Sequence, residues 1–202
     1  MQPQHALLTP AEYLAQEENS PVKSEYVDGE SYAMSGAKRA HNLIASNLLY
    51  RARGAASHRP ACQVFGPDMK VHVEAHNCFY YPDLSVCCDP TDRDDRYLVR
   101  PCFIVEVTSP STAAIDRREK RASYLTLTAL EEYVIVDQGQ MWVELFRRAA
   151  AGWRKSTLIE PDEAIESSCL GLHLDLRQIY EGVELPPVRV GEPELPEYAA
   201  VA

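Results

Sequence analysis

The chain has 202 residues, of which 46% are hydrophobic and 25% charged, an ordinary composition for one soluble globular domain. Its formal net charge of −10 argues against a general nucleic-acid coat protein, because phosphate binding depends on a positive surface. No apolar run approaches the roughly 20 residues of a membrane span and no signal peptide is visible, so we expect a cytoplasmic protein. Residues 1–185 should form a single domain, and the acidic Pro- and Glu-rich residues 186–202 a disordered tail.

Positive charge is concentrated in two stretches of the chain. The basic residues are Lys38, Arg39, Arg51, Arg53 and Arg59 in the first stretch, and Arg117, Arg118, Lys120 and Arg121 in the second. Local basic patches on an acidic protein are compatible with a nucleic-acid substrate, although a solvated helix face carries such charges as well.

The cysteines give no metal-site pattern. None of the six forms a C-x-x-C pair, and no histidine lies at zinc-site spacing beside them. Most lie in or beside apolar runs, where a free cysteine behaves as a small hydrophobic residue. We therefore expect reduced core thiols rather than a zinc site at Cys62, Cys78, Cys87, Cys88, Cys102 and Cys169.

Capping and turn residues predict the N-terminal half. Thr9, Pro10 and Glu12 are typical of a helix start with a capping box, and this helix should run to about residue 18. Alternating residues around Asp28-Gly29 predict a β-hairpin, and apolar residues at helical spacing predict a helix from 38 to about 57. Short strands should follow at 62–65, 69–73 and 77–86, and then an exposed polar loop at 89–97.

The C-terminal half alternates between strands and helices. Residues 102–107 are β-branched and predict a central strand. A turn at 108–112, with Ser111 or Thr112 as N-cap, should lead into a helix that carries Lys120. Further strands are expected at 131–137 and, as an antiparallel pair, at 141–148 and 152–159, with a short helix at 174–180.

Two of the apolar strands each carry one carboxylate, Asp83 and Glu106. A buried carboxylate is costly unless it is paired or binds a cation. Lys120 lies on the next helix, where Asp116, Lys120 and Tyr124 share one face by their spacing. Two strand carboxylates with a nearby lysine suggest a metal-dependent phosphodiesterase, because Mg²⁺ takes one or two carboxylates and stabilises the charge on a phosphate under attack.

Three of these residues also have a purely structural interpretation. Asp83 follows Pro82 and can begin a strand or close a turn. Lys120 lies within R-R-E-K-R, a run that usually forms a solvated helix face. Tyr124 is more often a core residue than a catalytic one.

The ordered set of motifs resembles the Uma2 family of restriction-type endonucleases, over roughly residues 9–182. The motifs are E-Y-V-D-G-E, A-H-N at a helix start, Y-P-D-L-S-V, I-V-E-V-T-S-P-S-T, D-x-x-x-K-x-x-x-Y and E-Y-V-I-V-D. That family is assigned to the PD-(D/E)XK nuclease fold. The resemblance implies an α/β (α+β) fold: a restriction-endonuclease-like mixed β-sheet flanked by helices, with an N-terminal helix and β-hairpin.

The same resemblance implies residue roles. Asp83 and Glu106 would be ligands of Mg²⁺, for which Mn²⁺ can substitute, and Lys120 would be the catalytic lysine. An additional acid would come from the predicted hairpin, as Glu30 or Glu25.

His41 and Tyr124 would lie near the site, although His41 can equally be a polar contact at a helix start. The broader nuclease pattern places its lysine two residues after the second acid, where this chain has Thr108. Lys120 would have to reach into the site from the following helix.

We therefore expect a Mg²⁺-dependent endonuclease acting on DNA, as a homodimer because paired cuts often go with this fold. The missing strand lysine and the acidic net charge favour an alternative. In that case the chain is a catalytically inactive protein of the same fold that binds nucleic acid or another protein. A metal hydrolase of small phosphoesters is a third interpretation, which differs mainly in the width of the cleft.

Overall fold

The computed structural model describes residues 7–108 and 116–186 of the chain. Its first element is helix α1 (Pro10–Glu17). Thr9 caps this helix, and the side chain of Glu12 accepts a hydrogen bond from the backbone N–H of Thr9, which completes the capping box. The predicted first helix is confirmed.

A β-hairpin follows, as predicted. Strands β1 (Ser24–Val27) and β2 (Glu30–Ala33) pair antiparallel. Asp28 and Gly29 between them take φ angles of +46° and +98°, as a tight two-residue hairpin turn requires. The predicted long helix comes next as α2 (Arg39–Ala56).

The hairpin belongs to a small sheet. Strands β4 (Lys70–Val73) and β5 (Cys78–Tyr80) form an antiparallel pair, joined by a 3₁₀ turn at Glu74–His76. Strand β7 (Tyr97–Leu98) adds to β4 in parallel. The five strands lie in the order β2-β1-β5-β4-β7.

A larger mixed sheet forms the centre of the fold. Its strands are β3 (Gln63–Phe65), β6 (Leu84–Cys87), β8 (Phe103–Thr108), β9 (Glu132–Asp137), β10 (Val143–Ala149) and β11 (Gly152–Leu158). They lie in the order β11-β10-β9-β8-β6-β3, in which β8 and β9 are parallel and all other neighbours are antiparallel. The predicted central strand and the predicted antiparallel pair β10–β11 are confirmed.

The stretch 77–86 is two strands in different sheets, so the prediction of one strand was wrong. Strand β5 ends at Tyr80, β6 begins at Leu84, and Pro82 lies in the link. Proline has no backbone N–H and restricts the residue before it, so it interrupts the ladder here. The break leaves Asp83 at the start of β6.

After β8 the structure describes the chain again from a π-helical turn (Asp116–Lys120), which continues as helix α3 (Arg121–Tyr124). The caps proposed at Ser111 or Thr112, and most of the predicted acidic tail, lie outside the described residues.

The closing segment differs from its prediction. Strands β12 (Ala164–Ser167) and β13 (Leu172–Asp175) form a separate pair, and only Leu176–Ile179 is helical, as α4. The side chain of Asp175 caps α4 and marks where the strand ends and the helix begins.

Alternate residues of β8 face two different cores. Phe103, Val105 and Val107 pack with apolar residues of α2 and β6. Ile104 faces the other way, toward a second core that contains residues of the small sheet and of α3. Glu106 shares the face of Ile104, so it lies on the side of the small sheet.

The cysteines differ from their prediction in part. Cys78 and Cys87 are free and buried, as expected. The other four are joined as two disulfides, Cys62–Cys88 and Cys102–Cys169. The two cysteines of each disulfide are far apart in the sequence, so their spacing did not indicate which would pair. Across residues 7–108 and 116–186, no helix combines the length and apolar character needed to cross a membrane.

Candidate active site

Asp83, directly before β6, and Glu106 of β8 lie at the same end of two neighbouring antiparallel strands. The register of β6 and β8 pairs Leu84 with Val105, and one step further it places Asp83 beside Glu106. Opposed residues in such a pair point to the same face, with Cβ atoms about 5 Å apart. Asp83 is 8% exposed and Glu106 is 4% exposed. The two acids therefore meet at one end of this strand pair.

The carboxylate of Asp83 is oriented through both oxygens. Oδ2 accepts a hydrogen bond from the backbone N–H of Val107 at 2.7 Å, and Oδ1 lies 2.8 Å from Nε2 of His41. His41 is in the first turn of α2, so this helix brings it to the strand end. A carboxylate oxygen has two lone pairs, so both contacts are compatible with cation binding.

Glu106 is compensated by two donors from the segment after β8. Its Oε1 accepts a hydrogen bond from the Tyr124 hydroxyl at 3.0 Å and lies 3.4 Å from Nζ of Lys120. Burial and the charge of Glu106 raise the pKa of Tyr124 well above its ordinary value. The tyrosine is therefore a neutral donor near pH 7. Such partners are what a buried carboxylate requires.

Lys120 points into this site and not to solvent. It is 6% exposed, and its Nζ donates to Oε1 of Glu25 at 2.7 Å. The same amine lies 5.4 Å from the ring centroid of Tyr80, a cation–π contact. Glu25 in turn accepts a hydrogen bond from the backbone N–H of Tyr81 at 3.1 Å. Lys120 thus binds two acids, Glu25 and Glu106, from a π-helical turn, a feature frequent at functional sites.

Glu30 lies on the same face of the hairpin as Glu25, because it pairs with Val27 across the turn. It is exposed and accepts a hydrogen bond from the Tyr32 hydroxyl. Glu25 makes the contact with Lys120, and a catalytic role for Glu30 stays a prediction. The sequence-predicted residues that the structure brings together are Asp83, Glu106, Lys120, His41 and Glu25.

Three contributions to the site have no clear sequence signal. The ring of Tyr80 and the backbone N–H groups of Tyr81 and Val107 act through their positions in the two sheets. The aromatic pair Tyr80-Tyr81 was the only sequence indication of these contributions, and such a pair predicts core packing equally well.

Positive charge adjoins the site at the start of α2. Lys38 and Arg39 are exposed at the start of α2, whose first turn contains no acid, so the positive end of the helix dipole faces this region. On the other side an open cavity of about 590 Å³ is lined by Tyr80 and by charged residues of both signs, Arg118 as well as Asp28 and Glu119.

The donor set fits a hard divalent cation held by few protein ligands. Among residues 7–108 and 116–186, no group of three or more metal-ligating side chains forms around Asp83 and Glu106. Mg²⁺ is commonly bound by one or two carboxylates and keeps several waters. The opposed carboxylates of Asp83 and Glu106 match that requirement in type and number.

Comparison with known proteins identifies the family. The family model Uma2, described as "Putative restriction endonuclease", matches residues 10–177. The chain belongs to the Uma2 family. "Uncharacterized protein slr1290" of Synechocystis sp. is 32% identical over 179 residues, which cover 87% of this chain and 93% of that protein. "Uncharacterized protein sll1609" of the same organism is 31% identical over 166 residues, covering 80% and 93%.

A solved structure has the same fold as this Uma2 chain. It is described as a "putative nuclease belonging to DUF820 from Anabaena variabilis ATCC 29413" and superposes with a TM-score of 0.71 at 17% identity. The match covers 86% of this chain and 97% of that one. At this identity the likeness concerns the fold, and it confirms the expected mixed sheet flanked by helices. Family and fold together support a nuclease.

Proposed function

We propose that this Uma2 protein is a metal-dependent endonuclease that hydrolyses DNA phosphodiester bonds. The observation that carries the proposal is the meeting of Asp83, Glu106 and Lys120 at one end of the β6–β8 pair. Membership of a restriction endonuclease family makes DNA the proposed substrate of this chemistry. Mg²⁺ is the proposed cation, with Mn²⁺ as a substitute because it takes the same oxygen ligands.

Each residue has a distinct proposed role. Asp83 and Glu106 would hold the cation, and His41 fixes the orientation of Asp83 through its contact at 2.8 Å. A bound Mg²⁺ would supply Lewis-acid stabilisation of the phosphate and a more acidic water. Lys120, held by Glu25, donates to the attacking water or to a phosphate oxygen, which offsets the negative charge that grows in the transition state.

The charge around the site suits a phosphodiester substrate despite the net charge of −10. Lys38 and Arg39 are exposed beside the acids, and Arg118 is exposed at the neighbouring cavity. Each contact between a basic side chain and a phosphate releases counterions and adds to affinity. The site therefore combines buried acids for the cation with exposed bases for the DNA backbone.

Cleavage of plasmid and oligonucleotide DNA tests the proposal. Wild type should cleave DNA in the presence of Mg²⁺ or Mn²⁺, and EDTA should stop this cleavage. Asp83→Asn and Glu106→Gln should each lose about 10³-fold in rate, because Lewis-acid stabilisation contributes several kcal/mol. Asp162→Asn, an isosteric change of an exposed carboxylate in the turn before β12, should cleave like wild type.

Two outcomes would count against the endonuclease. Cleavage that continues in EDTA, or in Asp83→Asn at the wild-type rate, would show that these acids hold no catalytic cation. DNA binding by folded wild type without cleavage of any DNA form would favour the non-catalytic binding protein of the same fold.

A further inference from the structure

Four cysteines meet at the end of the β6–β8 pair that lies opposite the acids. Cys88 directly follows β6, whereas Asp83 precedes it, and Cys102 directly precedes β8. Cys62 precedes β3, whose register continues to place it opposite Cys88. Cys169 arrives from the turn between β12 and β13. The segments of Cys88, Cys102 and Cys169 thus contribute one sulfur each to a cluster, and Cys62 joins it through its disulfide to Cys88.

The sulfur atoms are close across the two disulfides as well as within them. Sγ of Cys102 lies 3.6 Å from Sγ of Cys88, although these residues belong to different disulfides. The sulfurs of Cys88, Cys102 and Cys169 all lie within 4.8 Å of one another. In a tetrahedral zinc tetrathiolate with Zn–S of about 2.3 Å, the sulfurs are about 3.8 Å apart. The 3.6 Å between Cys102 and Cys88 is close to that spacing, and each bonded pair would have to open to it on reduction.

We propose that Cys62, Cys88, Cys102 and Cys169, in their reduced state, bind one Zn²⁺ as a tetrathiolate. Soft thiolates in a tetrahedral S₄ set select Zn²⁺ or iron–sulfur clusters. Two ligands of one ion at about 2.3 Å cannot be more than about 4.6 Å apart, whereas a cluster of several irons needs wider spacing. The sulfurs of Cys88, Cys102 and Cys169 lie within 4.8 Å of one another, close to that limit, which favours a single ion.

The surroundings support thiolates at this point. The guanidinium of Arg59 donates to the backbone carbonyl of Cys169 at 2.8 Å, which places a positive charge beside the sulfurs. A nearby cation lowers the pKa of a thiol and favours the thiolate that binds metal. Disulfides belong to oxidising compartments, and a cysteine cluster in a reducing one more often binds metal. This site is independent of the proposed nuclease chemistry, and its role is to fasten the strand ends.

Cys87 provides a matched control for Cys88. The two are adjacent, but successive residues of a strand point to opposite faces. Sγ of Cys87 lies in the other core, 3.6 Å from Oδ2 of Asp92. Cys87→Ser and Cys88→Ser therefore remove neighbouring thiols of which only one belongs to the proposed site.

The test measures zinc in protein purified with a reductant and without chelator, by mass spectrometry of the metal. We expect about one Zn²⁺ per chain in wild type and Cys87→Ser, and loss of most of it in Cys88→Ser. Replacement by Co²⁺ should give wild type the visible absorption and sulfur-to-cobalt charge-transfer bands of a tetrahedral thiolate site. The Co²⁺ spectrum is recorded on wild type, so it tests the proposed zinc site even when Cys88→Ser does not fold.

Three results would overturn the zinc site. One is reduced wild type that takes up neither Zn²⁺ nor Co²⁺. Another is iron with inorganic sulfide in place of zinc. A third is equal zinc content in folded Cys88→Ser and in wild type. Asp83→Asn should keep its zinc, so a failure of the nuclease proposal leaves this measurement unaffected.

Discussion

The ammonium group of Lys120 is held between two carboxylates in a nearly water-free environment. It donates to Glu25 at 2.7 Å, lies 3.4 Å from Glu106, and is 6% exposed. Removing one partner of such a buried pair costs about 3–5 kcal/mol, because the remaining charge is left uncompensated. A substitution that removes any one of these charges therefore needs a measurement of stability beside its activity.

Glu25→Gln tests whether Glu25 is the third acid. The amide keeps the size of the side chain and an oxygen that can accept the Tyr81 N–H, but it removes the charge that holds Lys120. We expect cleavage to fall about 10²-fold, a typical effect of losing one positioned electrostatic contact. The measurement is kcat on plasmid DNA at saturating Mg²⁺.

Glu30→Gln tests the alternative that Glu30 is the third acid. Glu30 is exposed and contacts Tyr32, so its change should alter kcat by about twofold or less, as for most surface substitutions. A larger loss in Glu30→Gln than in Glu25→Gln would contradict the choice of Glu25. Thermal unfolding of both variants shows whether either loss comes from misfolding.

Among the elements of the fold, helix α2 contributes residues to the site from its N-terminus. Its first turn contributes His41 to Asp83 and exposes Lys38 and Arg39. The helix packs on the large sheet through Ile44, Leu48 and Ala52. A firmly packed helix therefore holds the backbone of Lys38 and Arg39 close to the acids.

The double variant Lys38→Ser/Arg39→Ser tests this surface. If both side chains contact phosphates, DNA affinity should fall, and the slope of log affinity against log salt should shrink by about 2. Arg93→Ser/Arg154→Ser removes two other exposed charges and should leave the slope nearly unchanged. Equal losses in both double variants would indicate general charge attraction and not a specific surface at α2.

Element types were predictable where local chemistry decides them. The capping box at Thr9 and the Asp28-Gly29 turn each act over a few residues, and both formed as predicted. The change of sheet at Pro82 was missed, because the apolar residues on both sides of Pro82 and Asp83 were taken as one strand. The β12–β13 pair was missed because the predicted helix at 174–180 took in the last two residues of β13 together with α4.

Pairings across the whole molecule were less predictable. Asp83 and Glu106 could be foreseen because charge inside an apolar strand is unusual. The contact between Glu25 and Lys120 joins residues 95 positions apart, and the choice between Glu25 and Glu30 depends on how the hairpin lies against the π-helical turn. The meeting of four cysteines depends in the same way on strand register.

The molecule places its two proposed metal sites at opposite ends of the same strand pair. The acids lie where β6 begins, and the cysteines lie where it ends. Strand β6 has four residues, so about 13 Å of extended chain separates the two ends. A change at one site should therefore leave the metal content of the other intact. The homodimer and the cytoplasmic location stay predictions.

The most direct measurement is the anomalous diffraction of crystals soaked in Mn²⁺. The proposed function predicts a Mn²⁺ peak between the carboxylates of Asp83 and Glu106, with waters completing its coordination. The peak should vanish in Asp83→Asn and persist in Asp162→Asn. Absence of Mn²⁺ from the wild-type site, or an unchanged peak in Asp83→Asn, would contradict the claim that these two acids hold the catalytic cation.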